Sequence, residues 1–245
     1  SIVTIVLHDK FVTTRHANLA TNAILKPVKV FQIGFSKCGT STLADFFNRN
    51  GVPAVHHDFG HLATSIFRNA KEGLPLLAPQ YAQYSAFTDM ERMYEDPPLN
   101  VGMSLFKELD KQYPGSKFIL NTRNKQAWFQ SRAKHRVGNQ NGPTLLEINI
   151  KIFKLSADEV LAKWSREWDD HHQRVQEYFK DRPEDLLIFD IDHDSPEKLT
   201  AFLRNYFVLN PKLYKHSNKT AKKSVADETV AQVEIFSKTY MKLRD

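Results

Sequence analysis

Five short apolar runs punctuate the chain, and stretches of helical periodicity separate them. "VKVFQIGF" (28–35) is apolar at both odd and even positions, as a strand covered on both faces must be. "VPAVHH" (52–57), "YSAFTD" (84–89), "SKFILNT" (116–122) and "DLLIFDI" (185–191) read as further strands. Between them the spacing predicts helices over 40–50, closed by Gly51, over 59–72, closed by Gly73, and over 101–113, stopped at Pro114-Gly115. Further helices are expected over 125–136, over most of 145–181, and over 196–207, where Pro196 opens the element. "SIVTIVLHDK" alternates like an edge strand, and the tail from His216 reads as a polar loop followed by a terminal helix. Strands alternating with helices imply an α/β fold: a central parallel β-sheet with helices on both faces, three layers in all. Such sheets collect ligands at the carboxyl ends of their strands, here the loops beginning at Gly34, His57, Asp89, Asn121 and Ile191.

With 245 residues, 41% of them hydrophobic, the chain can build one α/β domain, and a single domain over 1–245 is the expectation. No apolar run approaches the roughly 20 residues that cross a bilayer, and the opening residues lack the apolar region of a signal peptide. The single cysteine, Cys38, leaves no intramolecular disulfide; together these point to a cytoplasmic protein without a membrane partner. The net charge of +6 is unevenly spread. Residues 111–146 hold seven Lys or Arg and no acid, and residues 211–226 hold five lysines and no acid. Without those twelve, 22 basic residues face 28 acidic ones, a net of −6. Two local positive fields on an acidic background suit a small polyanion rather than nucleic acid, which wants a broad basic face.

The strongest chemistry sits in "FQIGFSKCGTSTLADFF", 31–47. A loop between a buried strand and a helix offers successive N–H groups and the positive end of a helix dipole to a phosphate. The hydroxyls of Ser36, Thr40, Ser41 and Thr42 add donors. Nucleotide hydrolases place a lysine directly after the second glycine of this loop, where it serves the outer phosphates with magnesium. Here Gly39 is followed by Thr40, and the only lysine, Lys37, lies on the crown of the loop beside Cys38. That position favours an inner anion and its bridging oxygen, with no metal. A second site follows from "KFILNTRNKQAWFQSR": Arg123 stands just past a strand and Ser131 two helical turns further on. A guanidinium fork and one hydroxyl can converge there on a second phosphate.

These residues resemble the sulfotransferase family. Gly34 to Leu43 is similar to its 5′-phosphosulfate loop, and Arg123 with Ser131 matches its 3′-phosphate motif in order and spacing; Ser36 and Cys38 stand where proline and serine are common. The resemblance spans about Val28 to Arg136. It implies a P-loop, sulfotransferase-like sandwich that moves a sulfuryl group from 3′-phosphoadenosine 5′-phosphosulfate (PAPS) to a hydroxyl or amine of a small-molecule acceptor, without a metal. It implies that Ser36, Lys37, Cys38, Gly39, Thr40, Ser41, Thr42, Arg123 and Ser131 hold the donor, with Lys219, and loosely Lys222 and Lys223, closing over it. Lys37 would stabilise the departing phosphate.

The general base is open: Asp89 is the first choice and also reads as a helix N-cap, while His57, with Asp58 beside it, is an acceptor-side alternative. His171 and His172, with Asp169 and Asp170, read as a solvated helix face rather than a metal cluster, and Trp164 and Trp168 as core. A nucleotide kinase or hydrolase with an altered loop, and a non-catalytic nucleotide-binding module, are the rival readings.

Overall fold

A computed structural model describes residues 23–215. Its sheet has five parallel strands in the order β2-β3-β1-β6-β7. They are β1 (Val30–Gln32), β2 (Ala54–His56), β3 (Ala86–Thr88), β6 (Lys117–Thr122) and β7 (Leu186–Asp190). Phe31 of β1 pairs with Phe87 of β3 on one side and with Phe118 of β6 on the other. The period of two sorts side chains onto two covered faces. Phe31, Ile33, Val55, Phe87, Phe118 and Leu120 pack with Leu62 and Ile66 of α2 (His61–Glu72), and with Val175 and Phe179 of α7 (Ala157–Phe179). The alternate positions Val30, Ala54, Ala86, Ile119, Leu187 and Phe189 meet Leu43, Phe46 and Phe47 of α1 (Thr40–Arg49) and Leu199 and Leu203 of α8 (Pro196–Leu203). Each Val, Leu, Ile or Phe among them contributes about 1.5–3 kcal/mol on burial, so both layers of helix are held by the same strands.

β1 lies between strands that follow it on either side of the sheet. The chain leaves β1 in one direction, through α1 to β2 and β3, and later crosses to β6 and β7 on the other side. Loops diverge at the carboxyl end of β1 and open a crevice there.

The structure corrects the sequence reading at several points. The stretch 101–113 is two helices, α3 (Val101–Ser104) and α4 (Phe106–Gln112), broken at Leu105. The stretch 145–181 divides into α6 (Leu145–Phe153) and α7, with Lys154 in the left-handed region and a capping box of Ser156 and Glu159 restarting the helix. The helix opened by Pro196 ends at Leu203, short of 207, and Phe207 pairs with Ile24 instead. α5 (Lys125–Ala133) is correspondingly shorter than expected. A two-stranded antiparallel ribbon, β4 (Glu91–Arg92) with β5 (Leu99–Asn100), was not foreseen, since two residues give no alternation to read. His171 and His172 are not a solvated face. His171 is 1% exposed and donates from Nε2 to the Ile33 carbonyl at 2.7 Å; His172 donates from Nδ1 to the Trp168 carbonyl and accepts from the Thr122 hydroxyl at 3.0 Å. Trp164 and Trp168 are core, in a third apolar cluster with Phe35, Cys38, Trp128 and Phe129 beneath the loop at 34–39. The expected edge strand at the start, the terminal helix and Lys219, Lys222 and Lys223 lie outside the described residues.

Candidate active site

The loop after β1 is built around its carbonyl groups. Five in succession accept side-chain N–H donors from the protein body. Gln32 Nε2 reaches Gly34 O at 2.6 Å; Asn121 Nδ2 reaches Phe35 O at 3.3 Å and Cys38 O at 2.8 Å. Trp128 Nε1 donates to Ser36 O at 3.1 Å and Arg123 Nη1 to Lys37 O at 3.2 Å. Gln32 and Asn121 are buried polar residues in apolar strands, and Gln32 Nε2 also donates to Asn121 Oδ1 at 2.5 Å. With the acceptors turned into the protein, the N–H groups of Lys37, Gly39, Thr40 and Ser41 have no protein acceptor among the described residues. They stand at the start of α1, where the helix dipole is positive. Gly34 is required by contact: a Cβ there would lie 2.2 Å from Asn121 O. Gly39 is required by conformation, with φ of 77° at the helix N-cap.

Lys37 itself has φ of 69° and stands at the crown, its ammonium 3.3 Å from His135 Nδ1. Burial lowers the Lys37 pKa, opposed by the charge of Asp89 and reinforced by Arg132. Burial, followed by the charges of Lys37 and Arg132, pushes His135 down to about 4, so a neutral imidazole accepts from the lysine. Asp89 follows β3 with φ of 54°, held by its N–H to Gln32 Oε1 at 2.7 Å. Its side chain is 16% exposed, Oδ1 has no partner, and Oδ2 is 3.7 Å from His56 Nε2. Burial first, then the charge of Glu91, raises Asp89 to about 8 against the pull of Lys37 and Arg132.

Glu91 explains why the proton rests on Asp89. Burial works against its carboxylate too, but Arg132, with hydrogen bonds from that side chain and from Ser36, holds it below the ordinary range. The Arg132 guanidinium meets Glu91 Oε2 at 3.2 Å and Ser36 Oγ at 2.9 Å, and the Ser36 N–H donates to Glu91 Oε1 at 2.6 Å. Arg132 is 1% exposed and lies over the rings of Trp128 and Trp164, 5.4 and 5.1 Å from their centroids. Two nearby carboxylates share one arginine, and the carboxylate in direct contact keeps its charge.

Arg123 stands past the end of β6, as the sequence reading expected. It joins Lys37 O through Nη1 and Asp192 Oδ1 through Nη2 at 3.2 Å, while its Nε is buried without a partner. Ser131 is half-buried on α5. Other expected residues are placed differently. The N–H and hydroxyl of Ser36 face Glu91 and Arg132; the Cys38 side chain is fully buried, its thiol pKa raised by that burial, so only its backbone can face a ligand. Thr40 and Thr42 are buried, and the Ser41 hydroxyl lies 3.2 Å from His56 Nε2. His56, not His57, adjoins Asp89; the Thr88 hydroxyl, donating to Val55 O, accepts from His56 Nδ1 at 3.0 Å. Burial, then His57, pushes His56 down to about 4. His57 packs its ring 5.9 Å from Tyr94. Asp58 accepts from the Tyr81 hydroxyl at 2.7 Å.

Sequence reasoning missed Gln32, His56, Glu91, Asn121, Arg132, His135 and Asp192. Gln32 and Asn121 carried a signal, a polar residue within an otherwise buried strand. Glu91, Arg132 and Asp192 carried none, being charged residues of ordinary appearance.

The fold and these features define an α/β protein with a strand–loop–helix turn whose N–H groups face away from the protein's own acceptors and an arginine at a neighbouring strand end. A family model described as a sulfotransferase domain matches residues 29–223, most of the chain, and the chain belongs to that family. No curated protein matches it. No helix among the described residues is long and apolar enough to cross a membrane.

Proposed function

We propose that the protein transfers a sulfuryl group from PAPS to a hydroxyl or amine of a small-molecule acceptor. The observation supporting this reading is the row of five tethered carbonyls, which leaves the donors of Lys37, Gly39, Thr40 and Ser41 without a protein acceptor, with the lysine on the crown of the loop. Those N–H groups would hold the 5′-phosphate, and Arg123 with Ser131 the 3′-phosphate. The donor supplies the activated sulfuryl group and a phosphate leaving group. Lys37 neutralises charge developing on the oxygen that departs, and His135 orients the ammonium. Asp89, beside Lys37 and without a partner at Oδ1, takes the acceptor proton once ionised. His56 borders Asp89, and His57 with Tyr94 forms the adjoining wall. With nucleotide and acceptor held in register, the remaining work is positional and electrostatic.

The test has two stages. Adenosine 3′,5′-bisphosphate should raise the melting temperature, and transfer of labelled sulfate from PAPS should follow with an acceptor panel. Stabilisation by ATP–magnesium with no response to the bisphosphate would overturn the reading in favour of a kinase or hydrolase.

A further inference from the structure

Asp192 lies just beyond β7, and both of its carboxylate oxygens are engaged on the neighbouring loop. Oδ1 accepts from Arg123 Nη2 at 3.2 Å and Oδ2 from the Asn124 backbone N–H at 3.1 Å. Asn124 is the N-cap of α5. A guanidinium N–H together with a backbone N–H at a helix start is the donor set that a phosphate takes. The carboxylate is held there from its own side, since the Asp192 N–H donates to Asp190 Oδ1 at 2.9 Å and Asp190 is tied to His193 Nδ1 at 2.9 Å. Arg123 meanwhile keeps a buried Nε without a partner, and the Ser131 hydroxyl on α5 makes no hydrogen bond among the described residues. One part of an anion site is therefore filled by the chain's own carboxylate while another part is unfilled.

We infer that Asp192 is an internal competitor for the 3′-phosphate of the donor nucleotide, occupying Arg123 until that phosphate displaces it. This rests on the donor reading above. The ion pair is part-exposed, with side chains 23% and 29% accessible, so it can open without unfolding the sheet. Its closed state lowers apparent affinity by the fraction of molecules in which Arg123 is engaged. It also returns to the guanidinium when product departs, which favours release of the desulfated nucleotide.

The experiment is calorimetric titration of wild type, Asp192→Asn and Asp192→Glu with adenosine 3′,5′-bisphosphate and with adenosine 5′-phosphate, at one salt concentration. Asp192→Asn should bind the bisphosphate roughly tenfold more tightly, as neutralising one adjacent charge implies. It should bind the 5′-phosphate within about twofold of wild type, and Asp192→Glu, keeping the charge, should stay near wild type. Unchanged or weaker bisphosphate binding by a folded Asp192→Asn protein would overturn the inference and leave Asp192 a support for Arg123. Equal tightening for both nucleotides would overturn it as well. Should Asp192→Asn fail to fold, Asp192→Ser supplies the same neutral comparison. Wild type that binds neither nucleotide would remove the donor reading itself, a result distinct from retained wild-type binding with an indifferent variant.

Discussion

Replacing Asp89 with Asn tests whether the site stores a proton. Asp89 has an ordinary value of 3.8 and is raised to about 8, first by burial and then by Glu91. Between those values the folded protein keeps a proton that the unfolded chain releases. Stability of the wild type therefore falls as pH rises through that window, by about 1.4 kcal/mol per pH unit for this one group. Asn cannot ionise, and Asp89 Oδ1 has no partner to lose. The variant should gain on wild type by about 3 kcal/mol between pH 5.0 and 7.5, the slope multiplied by the interval. Other groups, including His56 and His135, also titrate, but the difference between the two proteins cancels them. Urea unfolding of both proteins at pH 5.0, 6.0, 7.5 and 8.5 measures it. The difference should grow up to about pH 8 and then level off. A constant difference across the range would mean that Asp89 is ionised throughout, and the shared-charge account of Asp89, Glu91 and Arg132 would be wrong.

Four further outcomes follow from the same geometry. Asp89→Asn should abolish sulfuryl transfer while retaining affinity for adenosine 3′,5′-bisphosphate, and wild-type turnover should rise with pH toward about 8 as the carboxylate forms; a flat profile on that limb would remove Asp89 as the base. Lys37→Ala should lower kcat at least roughly a hundredfold, the scale of losing one oxyanion donor, with nucleotide affinity measured separately by calorimetry. Gly34→Ala, whose new Cβ would meet Asn121 O at 2.2 Å, should lose about 1–3 kcal/mol in urea unfolding together with bisphosphate binding. Arg132→Met leaves the Glu91 carboxylate buried and unpaired and should cost about 3–5 kcal/mol, whereas the double variant with Glu91→Gln should recover much of that loss.

The architecture was legible because buried parallel strands are apolar on both faces. The runs at 28–35 and 116–122 led to adjacent β1 and β6, and the loop between β1 and α1 followed from Gly34, Gly39 and the helical spacing after them. What misled was polarity read one residue at a time. His171 and His172, next to two aspartates, look solvated in sequence, yet each finds a backbone carbonyl on an inner surface. A carbonyl at the right distance gives a buried histidine a hydrogen-bond partner, and the sequence carries no record of that distance. The capping box that divides α6 from α7 was legible in "SADE" and was passed over because the apolar stripe continues on both sides.

The site divides along the same line. Residues proposed to meet a phosphate through backbone or through a fixed offset, such as Gly34, Lys37, Gly39, Arg123 and Ser131, carry their geometry in their spacing. Residues that set charge do so across the fold: Arg132 reaches Glu91 over 41 positions and Asp192 reaches Arg123 over 69. Spacing has nothing to say about such pairs, because they depend on which strand ends the sheet order brings together. Yet these pairs decide where the proton rests and whether the guanidinium is free. In this fold, the loop and the residues proposed for the anion are a property of local sequence, and the charge state of the site is a property of strand order.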